Sequence, residues 1–340
     1  MKKILLFASV VAAMASCAKT EVSDINTDSP SVISFTSPYV SSKATAVTSV
    51  DAGVSLYATC GSETIITNET LSKNDDGTWG ASKTYMWPSS TEDVVFYAYN
   101  PTTLSVSDNK VAVTIAATAG DQIDILASKT TVVNNDRVNT VNIKMNHMLS
   151  KVDFAFTIDA DDVKNFNLKS FSINQIKGTT DGIDMTVPSI TANDDATAVY
   201  TYDGEKTSAI AMNTSSLSEI PFSSAGAFML IPQVITPLTT ETQTGAYLEI
   251  EYSISFDGKI YPVGSATTYS KAYIPLPNPS NGWEAGKSYK YTLTIDEDFN
   301  GGYKSTTDIS AANTYISASS KIKFDVSVES WGAENSTPLL

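Results

Sequence analysis

The chain has 340 residues, 42% of them hydrophobic, and a formal net charge of −15. That apolar share permits packed cores and excludes wholesale disorder, and the length suits two domains of ordinary size. So acidic a surface repels nucleic acid and anionic membrane, which excludes nucleic acid as a partner.

Lys2 and Lys3 open the chain, and Ile4 to Met14 runs without a charge. Such a run fits the apolar segment of a signal peptide and is too short to span a bilayer, which takes about 20 residues. Ala15 and Ser16 lead to Cys17, an apolar-small-small-Cys pattern that resembles the lipobox of lipoproteins, with Met14 where that pattern favours Leu. Processing at a lipobox needs a thiol, because diacylglycerol is attached to it before cleavage exposes it as the new N-terminus. Residues 1–16 are therefore expected to be a lipoprotein signal peptide, and Cys17 the lipidated residue. One acyl chain anchors only marginally, and stable attachment takes two or more. The chains of a mature lipoprotein cysteine would hold the protein at the outer membrane, since no Asp follows Cys17 to retain it at the inner one. Residues 17–31 are polar and free of aromatics, as a lipidated tether should be. Loss of Lys2 and Lys3 with the leader takes the net charge from −15 to −17.

Beyond the tether the dominant period is two, and helical periodicity is scarce. In chain order, strands are expected at Val32–Phe35, Gly53–Ala58, Asp93–Tyr99, Lys110–Ile115, Val141–His147, Lys151–Ile158 and Ser170–Ile176. Phe228–Gln233, Tyr247–Phe256, Lys290–Ile295 and Ile322–Val328 follow. Leu248, Ile250, Tyr252, Ile254 and Phe256 share one face of their strand, and Glu249, Glu251, Ser253 and Ser255 the other. Asp257-Gly258 then predicts a hairpin into Lys259–Val263. Ile322, Phe324, Val326 and Val328 alternate with polar residues in the same way. Turn signals recur at Asp76-Gly77, Asn100-Pro101, Gly120-Asp121, Asp181-Gly182 and Asp203-Gly204. Many short strands at this spacing indicate an all-β chain of sandwiches. The apolar phase breaks near residue 148, dividing the chain into an N-terminal β-sandwich at 32–148 and a C-terminal one at 149–340.

Little in the sequence points to catalysis. His147 is the only histidine, which rules out a multi-histidine metal site, and its phase with Met145 marks it as a buried or interface residue. With Cys17 lipidated, Cys60 has no intrachain partner and reads as a buried apolar residue at a strand end. Asp161-Asp162 and Asp194-Asp195 lie in polar, loop-like stretches, and Asn74 to Gly77 lacks the full EF-hand ligand pattern. No cofactor or metal is expected, and the chain does not read as an enzyme. Trp79, Trp87 and Trp283 would be the residues of an aromatic platform if the protein were a carbohydrate-binding surface lipoprotein supporting glycan uptake, the alternative reading.

Several stretches, taken in order, carry a more specific signal. They are SVISFTS; GVSLYA; TWGASKTYMWPSSTEDVVFYAYNP with its Tyr-x-Trp-Pro; DILAS; VNIKMNHMLSKVDFAF; GWEAGKSYKYTLTI; and IKFDVSVESWG. Behind a lipobox, this order resembles the fimbrillin-like lipoproteins of the Bacteroidetes, the subunits and accessory proteins of type V pili. The resemblance implies two tandem transthyretin-like (Greek-key) β-sandwich domains and a structural or adhesive role at the cell surface or in a fimbrium. It also implies partners: other pilus subunits, including copies of itself, joined by donor-strand exchange. In processed members a protease cuts after an arginine near the first strand and removes that strand together with the lipid. Here the matching stretch reads VSSKATAV, so the expected maturation site is Lys43-Ala44, with lysine where the family has arginine. An uncut, permanently anchored subunit is the alternative. As a donor segment the tail AENSTPLL has few apolar residues, and Ile322–Val328 has more.

Overall fold

The computed structural model describes residues 31–40, 48–50, 53–134, 137, 140–158, 163–194, 196–202, 210–212, 218–219, 227–239, 244–256, 259–261, 270–295 and 323–331. Its regular elements are strands, apart from one 3-10 turn at Ala119–Asp121. The all-β expectation therefore holds for the described residues.

One ten-stranded sheet draws only on strands between Ser34 and His147. Its middle is antiparallel: Glu63–Lys73, Val54–Cys60, Val94–Asn100 and Leu126–Val132 lie side by side. Its two ends are made by the same pair of segments. Ser34–Phe35 pairs in parallel with Thr140–Val141, and Tyr39–Val40 pairs in parallel with Lys144–Met145. The sheet thus folds back around a single core that includes Phe35, Leu56, Trp87, Phe96 and Ile143. Cys60 lies in that core, 6% exposed, as its sequence context predicts.

The 11-residue strand Glu63–Lys73 is absent from the sequence reading, for a physical reason. Its buried apolar residues Ile66 and Leu71 are five apart, and an unbroken strand puts odd spacings on opposite faces. Register shifts opposite Leu56–Thr59 and a left-handed Asn68 (φ 46°) restore one face, as a bulge does. Lys110–Ile115, conversely, pairs as a strand only over Lys110–Val111.

Two further sheets use strands from Ser150 onward. In one, Ser150–Ile158 runs parallel to Lys287–Ile295, which pairs antiparallel with Lys323–Ser330 at the edge. In the other, Val163–Lys177 pairs with Tyr247–Phe256, and the expected hairpin closes with Phe256 opposite Lys259. The space between these sheets is aromatic. Phe154 stacks on Tyr291 at 5.2 Å and meets Phe171 at 4.9 Å, while Tyr202 meets Phe228 at 4.4 Å. Trp283 Nε1 donates to the Tyr291 hydroxyl (2.9 Å), which donates to the Pro277 carbonyl (3.1 Å), so both buried polar tips are satisfied.

Two details correct the alternation rule. Ser253, on the expected polar face, is buried, whereas Val328, on the expected apolar face, is 49% exposed on the edge strand. Val326, two residues earlier, packs against the core.

Residues from both sides of position 148 meet at a junction. Val106–Ser107, Lys110–Val111 and Ile183–Asp184 form a small antiparallel sheet. Beside it Tyr99, Met148, Leu149, Ile183, Met185 and Ile231 make a third apolar cluster.

Because Phe154 is buried among these rings, Phe154→Ala should cost about 3–5 kcal/mol in urea denaturation. Val328→Ser should change stability by less than about 0.5 kcal/mol.

Candidate functional site

Ser31 to Val40 forms the candidate site. Ile33 and Phe35 point inward and are 5% and 7% exposed, and Phe35 meets Phe96 edge to face at 5.8 Å. Burying two such side chains stabilises the fold by roughly 1.5–3 kcal/mol each. Pro38 is also buried, whereas Thr36, Ser37, Tyr39 and Val40 are half-buried.

Both backbone edges of this segment are used. On one side the Thr36 and Tyr39 amides donate to the Val141 and Ile143 carbonyls (3.0 and 3.1 Å), within the parallel ladder. On the other side Phe35 pairs with Trp79, the Ile33 amide donates to the Tyr85 carbonyl (2.8 Å), and the Ser31 carbonyl accepts from the Trp87 amide (2.9 Å). The first strand is therefore an insert between two walls that touch it from opposite sides. Withdrawing it would uncover apolar core and leave two rows of backbone groups unpaired, a template that only another strand satisfies. A cavity of about 450 Å³ lies where Phe35 to Ser37 leave the ladder, between Lys73, Thr78 and Trp79.

The Tyr-x-Trp-Pro motif lies in the antiparallel wall. Tyr85 supplies the carbonyl for Ile33 and Trp87 the amide for Ser31, with Met86 bridging to Val32 between them. Trp87 fills the core, edge to face with Phe96. Glu69, buried on the neighbouring strand, accepts from the Ser82 amide (3.2 Å), the Ser82 hydroxyl (2.7 Å) and the Tyr85 hydroxyl (2.8 Å). The Ser82 hydroxyl is the main cause holding the Glu69 carboxyl below the usual carboxylate range. Burial opposes it, and the Tyr85 hydroxyl, the Ser82 amide and the charge of Lys83 add to it. Burial first, and then Glu69, push the Tyr85 hydroxyl up to about 12. Sequence reasoning missed Glu69; its one signal was a carboxylate in phase with Leu71 rather than with its polar neighbours.

Cys17, Lys43 and Ala44 lie outside the described residues. Residues 41–47 join Val40 to Thr48, which pair antiparallel with one another. His147 sits at the junction, as its phase predicts. Its Nδ1 lies 2.7 Å from Asp124 Oδ2, and its ring stacks on Trp331 at 4.1 Å.

Trp79, Trp87 and Trp283 are all core residues, at most 9% exposed, so none of them offers a platform. In the Asn74–Gly77 loop, Asp76 accepts from the Thr78 amide and hydroxyl (2.9 and 2.6 Å) and serves as a turn cap. Asp194 pairs with Lys177 at 2.6 Å, whereas Asp161, Asp162 and Asp195 fall outside the described residues. No cluster of three metal-ligating side chains occurs among the described residues.

A fimbrillin-like family model matches residues 42–331, most of the chain. The chain belongs to the fimbrillin-like family. That family consists of fimbrial and adhesion structural proteins rather than enzymes. Among solved structures, the chain is similar to a fimbrial protein from Bacteroides vulgatus (TM-score 0.58, 16% identity). The match covers 88% of this chain and 99% of that one. It is also similar to a candidate cell adhesion protein from Bacteroides ovatus (TM-score 0.50, 14% identity), over 89% of this chain and 98% of that one. At such identities the likeness shows the fold alone. No curated protein matches the chain in sequence.

Because the folded Glu69 carboxyl titrates below its unfolded value, about 4.3, its contribution is complete above that pH. The contribution is lost as pH falls through the folded value. Wild type should therefore exceed Glu69→Ala in stability by about 1–3 kcal/mol at neutral pH. The gap should shrink on acidification toward pH 3, as measured by urea melts across that range.

Proposed function

We propose that this chain is a subunit of a surface fibre, held at the outer membrane through acylated Cys17 until cleavage between Lys43 and Ala44 frees it from the lipid and from its first strand. A strand from a neighbouring subunit, another copy included, then fills the vacated groove by donor-strand exchange. In this reading the two cores belong to transthyretin-like domains at 32–148 and 149–340. The observation that carries the reading is the insertion of Ser31–Val40 between two walls, with Ile33 and Phe35 in the core. The fimbrillin-like family match over residues 42–331 supports it. So does the name of the Bacteroides vulgatus relative, a fimbrial protein.

The chain contains two segments suited to the donor role. Lys323–Ser330 is already paired over eight positions with Lys287–Thr294, and withdrawing it would open its own sheet. The tail at 332–340 is a candidate on its sequence. Ser336-Thr337-Pro338-Leu339-Leu340 repeats the order of Thr36-Ser37-Pro38-Tyr39-Val40: two hydroxyls, proline, two apolar residues. The positions flanking Pro38 are only half-buried, so a tail with few apolar residues suits that half of the groove. The carbohydrate-binding alternative gains no observation, because the three tryptophans it needs are buried.

Intact-mass and N-terminal analysis of sheared surface fractions tests the reading. A new N-terminus at Ala44, polymer ladders in wild type, and their loss on deleting residues 332–340 are the expected results. Acylated Cys17 on every molecule, or ladders unchanged by the deletion, would overturn it.

A further inference from the structure

Resting on that reading, one stretch beside the first strand has a place in the fold that strand pairing does not explain. From Ser82 to Asp93 the backbone joins no sheet, and its only pairing is the bridge of Met86 to Val32. Even so, it supplies two of the backbone hydrogen bonds that hold Ser31–Ile33. Two charged side chains fix this stretch from either end. At its start, Glu69 binds both polar groups of Ser82 and the Tyr85 hydroxyl. At its far end Arg137, the only arginine in the chain, donates from Nη1 to the Pro88 carbonyl (2.5 Å) and from Nη2 to the Glu92 carbonyl. Trp87 sits between these anchors with its ring in the core, yet its buried Nε1 has no hydrogen-bond partner among the described residues. Outside, Val32 and Met86 lie opposite one another, 44% and 43% exposed.

We propose that residues 82–92 are a strap that retains the first strand, and that Glu69 and Arg137 are its positioning residues. With the anchors in place, the Tyr85 carbonyl and Trp87 amide are presented at the spacing that Ser31 and Ile33 require. With an anchor removed, the strap has no ladder to hold it, and this end of the first strand frays before the core opens. The strap thereby sets how readily the strand leaves, and it belongs to the groove that an incoming strand must enter. Arg137 acts through main-chain carbonyls, which makes it indifferent to the side chains of the stretch it binds.

Hydrogen–deuterium exchange on the uncut full-length chain is the test, comparing wild type with Glu69→Gln, Arg137→Ala and, as a control in the other core, Leu230→Ala. Loss of an anchoring charged hydrogen bond should speed exchange in peptides covering residues 31–40 and 82–92 by about tenfold or more. Peptides from 150–158 and 287–293 should be unchanged in the two anchor variants. Leu230→Ala should show the converse. Exchange at 31–40 that stays at the wild-type rate in both anchor variants would overturn the proposal. So would a rise spread evenly over both cores, which would mark the anchors as general stabilisers. Because the readout precedes any cleavage or assembly, selective loosening in a chain that never forms polymers would sink the fibre reading and leave the strap standing.

Discussion

Parallel pairing between two segments more than a hundred residues apart closes the N-terminal core. Ser34–Val40 and Thr140–Met145 each contribute two short strands, and they meet at Phe35–Val141 and again at Met145–Val40. Bringing such distant segments together costs loop-closure entropy, although that cost grows only slowly with length. Apolar burial at Ile33, Phe35, Val141, Ile143 and Met145 offsets it. The segment is thus bound tightly enough to complete the sheet. It precedes every other strand in chain order, so a single cut between residues 40 and 48 would leave all later strands covalently intact.

Much else follows from that closure. Val141 and Ile143 hold the first strand on one side, and the same segment ends at His147, whose ring stacks on Trp331. Trp331 lies just past the last strand, and its amide donates to the Gly286 carbonyl (2.9 Å). A Cβ at Gly286, where φ is +68°, would lie 3.5 Å from the His147 carbonyl, so the left-handed backbone rather than space calls for glycine. The groove wall and the end of the final strand are therefore joined through one aromatic contact at the junction. The small sheet of Lys110–Val111 with Ile183–Asp184, and the donation of Met229 N to Gln122 Oε1 (2.6 Å), add polar links across the same junction.

The polar groups beside the first strand bind the neighbouring stretch of chain. Glu69 accepts from the Ser82 amide and the Tyr85 hydroxyl, and Arg137 donates to the Pro88 carbonyl. Pairing through the backbone tolerates many side chains, and selectivity comes from the pockets that take alternate residues. In the proposed exchange those pockets would be the places of Ile33, Phe35 and Pro38, which are buried.

The long alternating strands were legible in the amino-acid order. Tyr247–Phe256 alternates without interruption, so its buried Leu248, Ile250 and Tyr252 announce themselves, and Asp257-Gly258 announces the hairpin. Sequence order likewise carried the family likeness and the inward places of His147 and Cys60. It did not show Glu63–Lys73, because a bulge lets Ile66 and Leu71 share a face that alternation denies them. Nor did it show what Tyr-x-Trp-Pro does in the fold, because the partners of that motif, Ser31, Ile33, Glu69 and Arg137, are distant along the chain. The sequence by itself determined the long alternating strands and which residues are apolar, since both are local properties of period and composition. Only the tertiary structure decided which strand lies between two walls, since edge pairing, parallel register and burial of a carboxylate arise when distant segments meet.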